Sequence, residues 1–231
     1  MTHFDIKVVS DIVCPFCYLG KKRVEKAIDL YKKRVPGGDQ DTFNLTWYPF
    51  YLDPTLPKKG VPIHEHMAAK FGADRIEMLD RRLRMMGQAD GINFTQQGKV
   101  GNTRDAHRLA QLAKTKGLET QNSVMAELFR SYFEEGGDVT SREMLITAGK
   151  KGGLEETEVK GWLESDEGGK EVDQEVDQAC RAGVHSVPNF TINGRFTVYG
   201  AQGVEDFLGE FIAAKEEATK SSGFQKPSMG C

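Results

Sequence analysis

Residues 10–18 read Ser-Asp-Ile-Val-Cys-Pro-Phe-Cys-Tyr, with Cys14 and Cys17 separated by Pro15 and Phe16. The residues before them, 4–9, alternate in polarity and include valine and isoleucine, which predicts a β-strand. The residues after them are amphipathic to about position 33, which predicts a helix. The cysteine pair is therefore expected in the turn between a strand and a helix.

A Cys-x-x-Cys pair at a helix N-terminus suits reversible dithiol chemistry. The unpaired amides of the first turn and the helix dipole favour a thiolate over a thiol. We therefore expect Cys14 to be the nucleophile and Cys17, one turn inside the helix, to be the less exposed thiol that resolves a mixed disulfide. Pro15 suits the first helical turn, and we expect Pro15 and Phe16 to contact the substrate.

Half of a zinc site is the alternative interpretation of this pair. The chain has no second Cys-x-x-Cys motif, and the His-x-His spacing of His64 and His66 is not the usual spacing of zinc-finger histidines. We interpret both histidines as surface residues of a helix, and we predict no metal site.

The chain after the first helix divides into a short strand and a long helical block. Residues 43–48 predict a second strand, which Pro49 ends, so that the first part of the chain forms a βαβ unit. From about Pro62 to Gly183 the apolar residues recur with helical spacing, and about six helices fit this length. Thr140 and Glu143 predict a capping box at the start of one of them.

Strand character returns after Gly183. Residues 187–192 and 195–199 flank Asn193 and Gly194, which predicts a β-hairpin with a two-residue turn. An amphipathic segment from about Val204 to Glu217 predicts the last helix. This order of elements predicts one mixed sheet flanked by helices, beside a helical lobe.

The composition is that of an ordinary soluble protein. The 231 residues are 39% hydrophobic and 28% charged, which is enough to bury a sizeable core. The formal net charge is -3 with acids and bases interspersed, so we predict neither a nucleic-acid partner nor a membrane partner. The N-terminus carries no basic and apolar leader, and we expect a cytoplasmic protein.

Four cysteines are too few for a disulfide framework in a chain of this length. Cys180 lies beside Ala179 and Ala182, and we interpret it as a small buried residue. Cys231 is the last residue and is expected to be a free thiol without a role.

Five segments together resemble the DsbA-like thioredoxin-fold family and, within it, the FrnE-like branch. The resemblance covers nearly the whole chain apart from the tail. The matching segments are SDIVCPFCYLGK at 10–21, WYPFYLDP at 47–54, NTRDAHRL at 102–109, FRSYF at 129–133, and GVHSVP at 183–188 with GAQ at 200–202.

This resemblance implies an α/β thioredoxin fold that is interrupted by a large all-helical insertion. The expected divisions are a first thioredoxin part at 1–61, the insertion at 62–183, a second thioredoxin part at 184–218 and a disordered tail at 219–231. The resemblance also implies a cis peptide bond before Pro188, in a loop that faces the dithiol, and a Val187 backbone that pairs with an extended substrate.

Three groups of residues keep two interpretations at this point. His185 donates to a thiolate or shuttles a proton if it faces the dithiol, or else points to solvent. His107 lines a substrate cleft if the insertion covers the dithiol, or else is a hydrogen-bonded, partly buried side chain. A set of apolar insertion residues is interpreted as helix packing rather than as a binding surface; its members are Met67, Phe71, Met78, Met85 and Met86.

The expected function is thiol-disulfide exchange on a protein or small-molecule thiol, by a monomer or homodimer. No cofactor is expected beyond the redox-active disulfide, with glutathione as a candidate co-substrate. Two alternatives belong to other classes. The first is a glutathione-dependent isomerase or transferase of the kappa type, whose members typically carry serine in place of Cys14. The second is a non-catalytic thioredoxin-like accessory protein of a biosynthetic pathway.

Overall fold

A computed structural model describes residues 1–95 and 97–222 of the chain. The strands of this described part are β1 (His3–Ser10), β2 (Thr42–Pro49), β3 (Val61–Pro62), β4 (Lys99–Val100), β5 (Asn189–Ile192) and β6 (Phe196–Tyr199). Its helices are α1 (Pro15–Arg34), α2 (Ile63–Phe71), α3 (Ala73–Asp90), α4 (Arg104–Thr115), α5 (Leu118–Phe133), α6 (Arg142–Lys151), α7 (Glu156–Glu164), α8 (Gly169–Arg181) and α9 (Val204–Ser222). None of these helices is long and apolar enough to cross a membrane.

Strand β1 lies inside a four-stranded mixed sheet with the order β2-β1-β5-β6. It pairs parallel with β2 and antiparallel with β5, and β6 completes an antiparallel hairpin with β5. The alternation in β1 buries Phe4, Ile6 and Val8, as the sequence predicts. This is the βαβ and ββα arrangement of the thioredoxin fold, and it places the end of β1 at the start of α1.

Helices α1 and α9 pack together on the sheet around a cluster of aromatic rings. Phe4 stacks on Phe43 with centroids 4.6 Å apart, and Tyr31 and Phe211 meet these rings edge-on or tilted. Phe4, Tyr31 and Phe211 have no exposed surface. The cluster fixes α1 and, with it, the cysteine pair at the helix start.

The insertion contains seven helices in its described residues, α2 to α8, where about six were predicted. Gly72 has a φ of 87° and separates α2 from α3, which the periodicity alone joins. The insertion is also not entirely helical, because β4 pairs with β3 in a short antiparallel ladder. Within the insertion, Arg108 of α4 is buried. Its guanidinium donates to three backbone carbonyls, those of Trp162, Ser165 and Glu167.

The predicted capping box at Thr140 is wrong by one residue. Ser141 is the N-cap of α6, and its hydroxyl accepts a hydrogen bond from the Met144 amide. Thr140 is held in the preceding turn, because its amide and hydroxyl both donate to the carboxylate of Asp138, at 3.0 and 2.7 Å.

The hairpin and the last helix differ in length from their predictions. Three residues, rather than two, separate β5 from β6, because Arg195 donates its amide to Ile192 and stays outside the ladder. Asn193 and Gly194 form the turn with φ of 50° and 70°. Helix α9 runs to Ser222, beyond its predicted end near Glu217 and into the segment expected to be disordered. The rest of that segment, 223–231 with Cys231, lies outside the described residues.

Candidate active site

Cys14 is the N-cap of α1, with an extended backbone, and Pro15 occupies the first turn. The Cys14 amide donates to the carbonyl of Asp11 at 3.1 Å, which closes the turn after β1. Cys14 is 3% exposed and Cys17 has no exposed surface. Both thiols are free, and the order of exposure agrees with the expected order of nucleophile and resolving thiol.

The two thiols have pKa values shifted in opposite directions. A hydrogen bond from the Cys17 thiol is the largest cause that lowers the pKa of Cys14, and the amides of Cys17 and Phe16 act in the same direction. Burial and the carboxylate of Asp11 oppose that shift. Burial raises the pKa of Cys17 well above its ordinary value, and the interaction with Cys14 adds to this. Ionisation is therefore concentrated on Cys14.

The loop before β5 faces the dithiol. The peptide bond between Val187 and Pro188 is cis, and the carbonyl oxygen of Val187 lies 3.7 Å from the Cys14 sulfur. Gly20 of α1 allows this loop to approach, because a Cβ at that position would lie 2.9 Å from Phe190 and 3.1 Å from Pro188. The sequence-predicted residues Cys14, Cys17, Val187 and Pro188 are thus brought together.

A cleft of about 400 Å³ opens over Cys14, and its lining is mainly apolar. The thioredoxin part contributes Pro15, Phe16 and Val187, and the insertion contributes residues of α2, α3 and α5. Phe16 is 47% exposed, so its ring is available to a bound molecule. A cleft of this size and character is typical of small-ligand and peptide sites.

Comparison with known proteins agrees with this geometry. The model of the DSBA-like thioredoxin domain family matches residues 5–211. The chain belongs to this family.

Three similar proteins illustrate the match. The uncharacterized protein YwbO of Bacillus subtilis is 28% identical over 205 residues, which cover 87% of this chain and 92% of YwbO. The structure of the probable DsbA oxidoreductase SCO1869 of Streptomyces coelicolor superposes with a TM-score of 0.78 and 27% identity, covering 99% of this chain and 94% of that one. A 2-hydroxychromene-2-carboxylate isomerase shares the fold at a TM-score of 0.66 and 15% identity, covering 96% and 100% of the two chains.

The interpretation of five apolar residues of the insertion as helix packing is wrong for four of them. Met67 and Phe71 line the cleft, and Met78 and Met85 are 65% and 62% exposed. The reason is that α2 and α3 have little protein to pack against. None of the nine described residues of α2 is buried, and α3 buries three of its eighteen.

The structure does not bring His107 or His185 to the cleft. The buried His107 donates from Nε2 toward a carboxylate oxygen of Asp11 and the carbonyl of Phe50, each at 3.2 Å. The same carboxylate accepts the Leu52 amide at 2.8 Å, so His107 and Asp11 tie α4 to the loop after β2. His185 is exposed and is not among the residues that line the cleft.

Cys180 is exposed, although it was interpreted as buried. Helix α8 buries Val172, Val176 and Ala179, which recur at helical spacing on one face. Cys180 follows Ala179 by one residue, or about 100° of rotation, and so leaves that face. A neighbouring alanine indicates the same helix but not the same face.

Two polar residues next to the dithiol were missed as site residues. Ser10 and Asp11 are each 1% exposed and lie between the end of β1 and Cys14. They belong to the resembling segment, but nothing in their spacing reveals burial. His66, interpreted as a surface residue of a helix, is half-buried on α2 and lines the cleft. The described residues contain no group of three His, Cys, Asp or Glu side chains arranged to bind a metal ion.

Proposed function

We propose that this chain is a thiol-disulfide oxidoreductase that works through its CPFC motif. The observation that carries the proposal is the position of the two thiols, because Cys14 is the N-cap of α1 and lines the cleft, whereas Cys17 is fully buried one turn further along the helix. The lowered pKa of Cys14 and the raised pKa of Cys17 agree with this arrangement. Such a pair divides the reaction between a sulfur that attacks and a sulfur that stays protonated until it is needed.

The exchange has two steps. The Cys14 thiolate attacks one sulfur of a substrate disulfide, forms a mixed disulfide and releases the other sulfur as a thiolate. Cys17 then loses its proton and attacks the Cys14 sulfur, which releases the second substrate thiolate and leaves the Cys14–Cys17 disulfide. Two electrons pass from the dithiol to the substrate, and the same steps in reverse oxidise a substrate dithiol.

The substrate in this proposal is a disulfide or thiol of a protein or small molecule with an apolar surface. The cleft supports this, because its lining is mainly apolar and Phe16 and Leu52 are each 47% exposed. The Val187 backbone faces Cys14 and offers an extended substrate a strand-like partner. We place the exchange in the cytoplasm, with glutathione as a candidate co-substrate and no cofactor beyond the redox-active disulfide.

The test is equilibration of the purified protein in glutathione redox buffers, followed by mass spectrometry after alkylation. We expect Cys14 and Cys17 to pass together between a dithiol and a disulfide as the buffer becomes more oxidising. A potential near the cytosolic glutathione poise supports a reductase or isomerase, and a much higher one supports an oxidant. A dithiol that never closes to a disulfide would contradict the proposal and favour a kappa-type or non-catalytic function.

A further inference from the structure

The side chain of Ser10 is buried beside the dithiol without a described partner. Ser10 is 1% exposed, and its hydroxyl oxygen makes no hydrogen bond of ordinary geometry to any described residue. A buried hydroxyl without a partner is costly, and such groups in native proteins are often associated with function. The backbone of Ser10 is well satisfied, since it pairs with β2 and accepts the Phe50 amide at 2.9 Å.

This hydroxyl lies close enough to the resolving thiol to affect its ionisation. Ser10 acts on Cys17 in the direction that lowers its pKa, as does the backbone of Asp11, against the larger raising effects of burial and Cys14. Cys17 has no exposed surface, so water does not reach its sulfur when it ionises. A hydroxyl that is unpaired beside the neutral thiol is thus placed to donate once the sulfur carries a charge.

We infer that Ser10 is a catalytic residue of the resolving step, in which its hydroxyl donates a hydrogen bond to the Cys17 thiolate as that thiolate attacks the mixed disulfide. The inference rests on the proposed function. The Cys17 proton passes to the departing substrate thiolate, the Cys17–Cys14 bond forms, and the bond between Cys14 and the substrate breaks. Ser10 keeps its own proton throughout and supplies only the hydrogen bond.

The other groups around Cys17 do not replace this donor. The Cys14 sulfur is bonded to the substrate at that moment and has no proton to give. The Asp11 carboxylate already accepts hydrogen bonds from Leu52 and His107, and it disfavours a thiolate at Cys14. The Asp11 backbone remains as a partner, so loss of Ser10 is expected to slow the resolving step rather than abolish it.

The experiment uses stopped-flow mixing of dithiobis(nitrobenzoate), an aromatic disulfide, with the reduced full chain, in which Cys180→Ala and Cys231→Ala remove the two thiols outside the CPFC motif. Attack by Cys14 releases a first coloured thiolate, and resolution by Cys17 releases a second. We expect Ser10→Ala to leave the first phase within about twofold of the same chain with Ser10 and to slow the second about tenfold near neutral pH, as for the loss of a hydrogen bond to a charged group. The two second-phase rates should converge as the pH rises, because Cys17 then ionises without help.

The matched control is Ser131→Ala, which removes another buried hydroxyl, from α5. It should change neither phase. An unchanged second phase in Ser10→Ala, or a slowing that persists at high pH, overturns the inference and leaves the proposed function intact. A chain with Ser10 intact that releases a single coloured thiolate per pair of cysteines overturns both.

Discussion

The charge at Cys14 is set by groups within a few residues of it. The Cys17 thiol and the amides of Phe16 and Cys17 lower the pKa of Cys14, whereas burial and Asp11 raise it. Phe16 supplies a nearby amide but no side-chain charge, and its ring is half exposed in the cleft. The side chain at this position can therefore be changed to test the electrostatic account without altering the core.

Phe16→His is expected to make the protein more oxidising. An imidazolium beside the helix N-terminus stabilises the Cys14 thiolate and hence the reduced form. The equilibrium with glutathione should shift toward the dithiol by about tenfold, or about 30 mV. The measurement is the reduction potential, with Phe16→Leu as the uncharged control. A potential that is unchanged or lower in Phe16→His alone would count against the helix-terminus account.

The site residues divide by how far their roles depend on tertiary contacts. Cys14 and Cys17 are predictable from sequence, because a strand, a turn and a helix that follow one another fix where the two sulfurs lie. The burial of Ser10 and the pairing of Asp11 with His107 depend on the loop after β2 and on α4, which no local pattern relates to the motif. The sequence predicts that His107 lies in a helix, but it does not predict which way the His107 side chain points.

Helix α1 carries the dithiol and approaches the loop of Val187 and Pro188 through Gly20. A methyl group on Gly20 would lie 2.9 Å from the Phe190 ring, which is fully buried and cannot move aside easily. The distance between α1 and this loop therefore depends on the absence of a side chain at one position.

Gly20→Ala is expected to destabilise the protein by about 1–3 kcal/mol through overpacking. The control is Gly161→Ala in α7, where a Cβ would meet no described atom within 4 Å. That variant should gain up to about 1 kcal/mol from helix propensity. Denaturant unfolding measures both. Equal changes in the free energy of unfolding for the two substitutions would contradict the account, because they would show that the space between Gly20 and Phe190 can accept a methyl group.

Helices α2 and α3 show that apolar periodicity predicts a helix but not its packing partners. Their spacing predicts helices correctly, but a helical pattern does not tell whether another element covers the apolar face. Here Asp90, paired with Arg23 and Lys26, fastens the end of α3 to α1, while Met78 and Met85 stay exposed. The error at Cys180 has a different cause, because Cys180 lies outside the buried face of α8.

Asp41 connects both ends of the described thioredoxin part. Its carboxylate accepts from the Thr2 amide, the Tyr31 hydroxyl and the Lys215 ammonium, which lie before β1, in α1 and in α9. Burial raises the pKa of Asp41, but these three partners outweigh it and leave the pKa lowered. The folded state therefore binds this proton less readily than the unfolded chain does.

The contribution of Asp41 to stability should be complete above its unfolded pKa of about 3.9 and lost as the pH falls through its lower folded pKa. Asp41→Asn should reduce the free energy of unfolding by about 2 kcal/mol near neutral pH, and the difference should shrink in acid. Denaturant melts across this pH range measure it, with the exposed Asp39→Asn as control. If the loss of unfolding free energy in Asp41→Asn stayed constant into acid, it would come from packing and not from the charge of Asp41.

The whole-molecule architecture was the most predictable level. The order of strands and helices specifies a mixed sheet with an inserted helical lobe, and the family match over residues 5–211 agrees. The short ladder of β3 and β4 was not predictable, because two-residue strands carry no periodicity. The cleft was predicted only in part. Pro15, Phe16 and Val187 line it as expected, but His107 does not, and the lining residues from the insertion were not predicted.

The central claim is that Cys14 attacks and Cys17 resolves, and trapping with single cysteine variants tests it most directly. Each variant is incubated with oxidised insulin or cell extract, then analysed on a non-reducing gel and by mass spectrometry. Cys17→Ala should accumulate covalent complexes through Cys14 that a dithiol reductant clears, whereas Cys14→Ser should form none and lose exchange. Cys180→Ala, which removes an exposed thiol, and Cys231→Ala should turn over normally. Full exchange by Cys14→Ser, or a Cys17→Ala variant that never captures a partner through Cys14, would contradict the assignment.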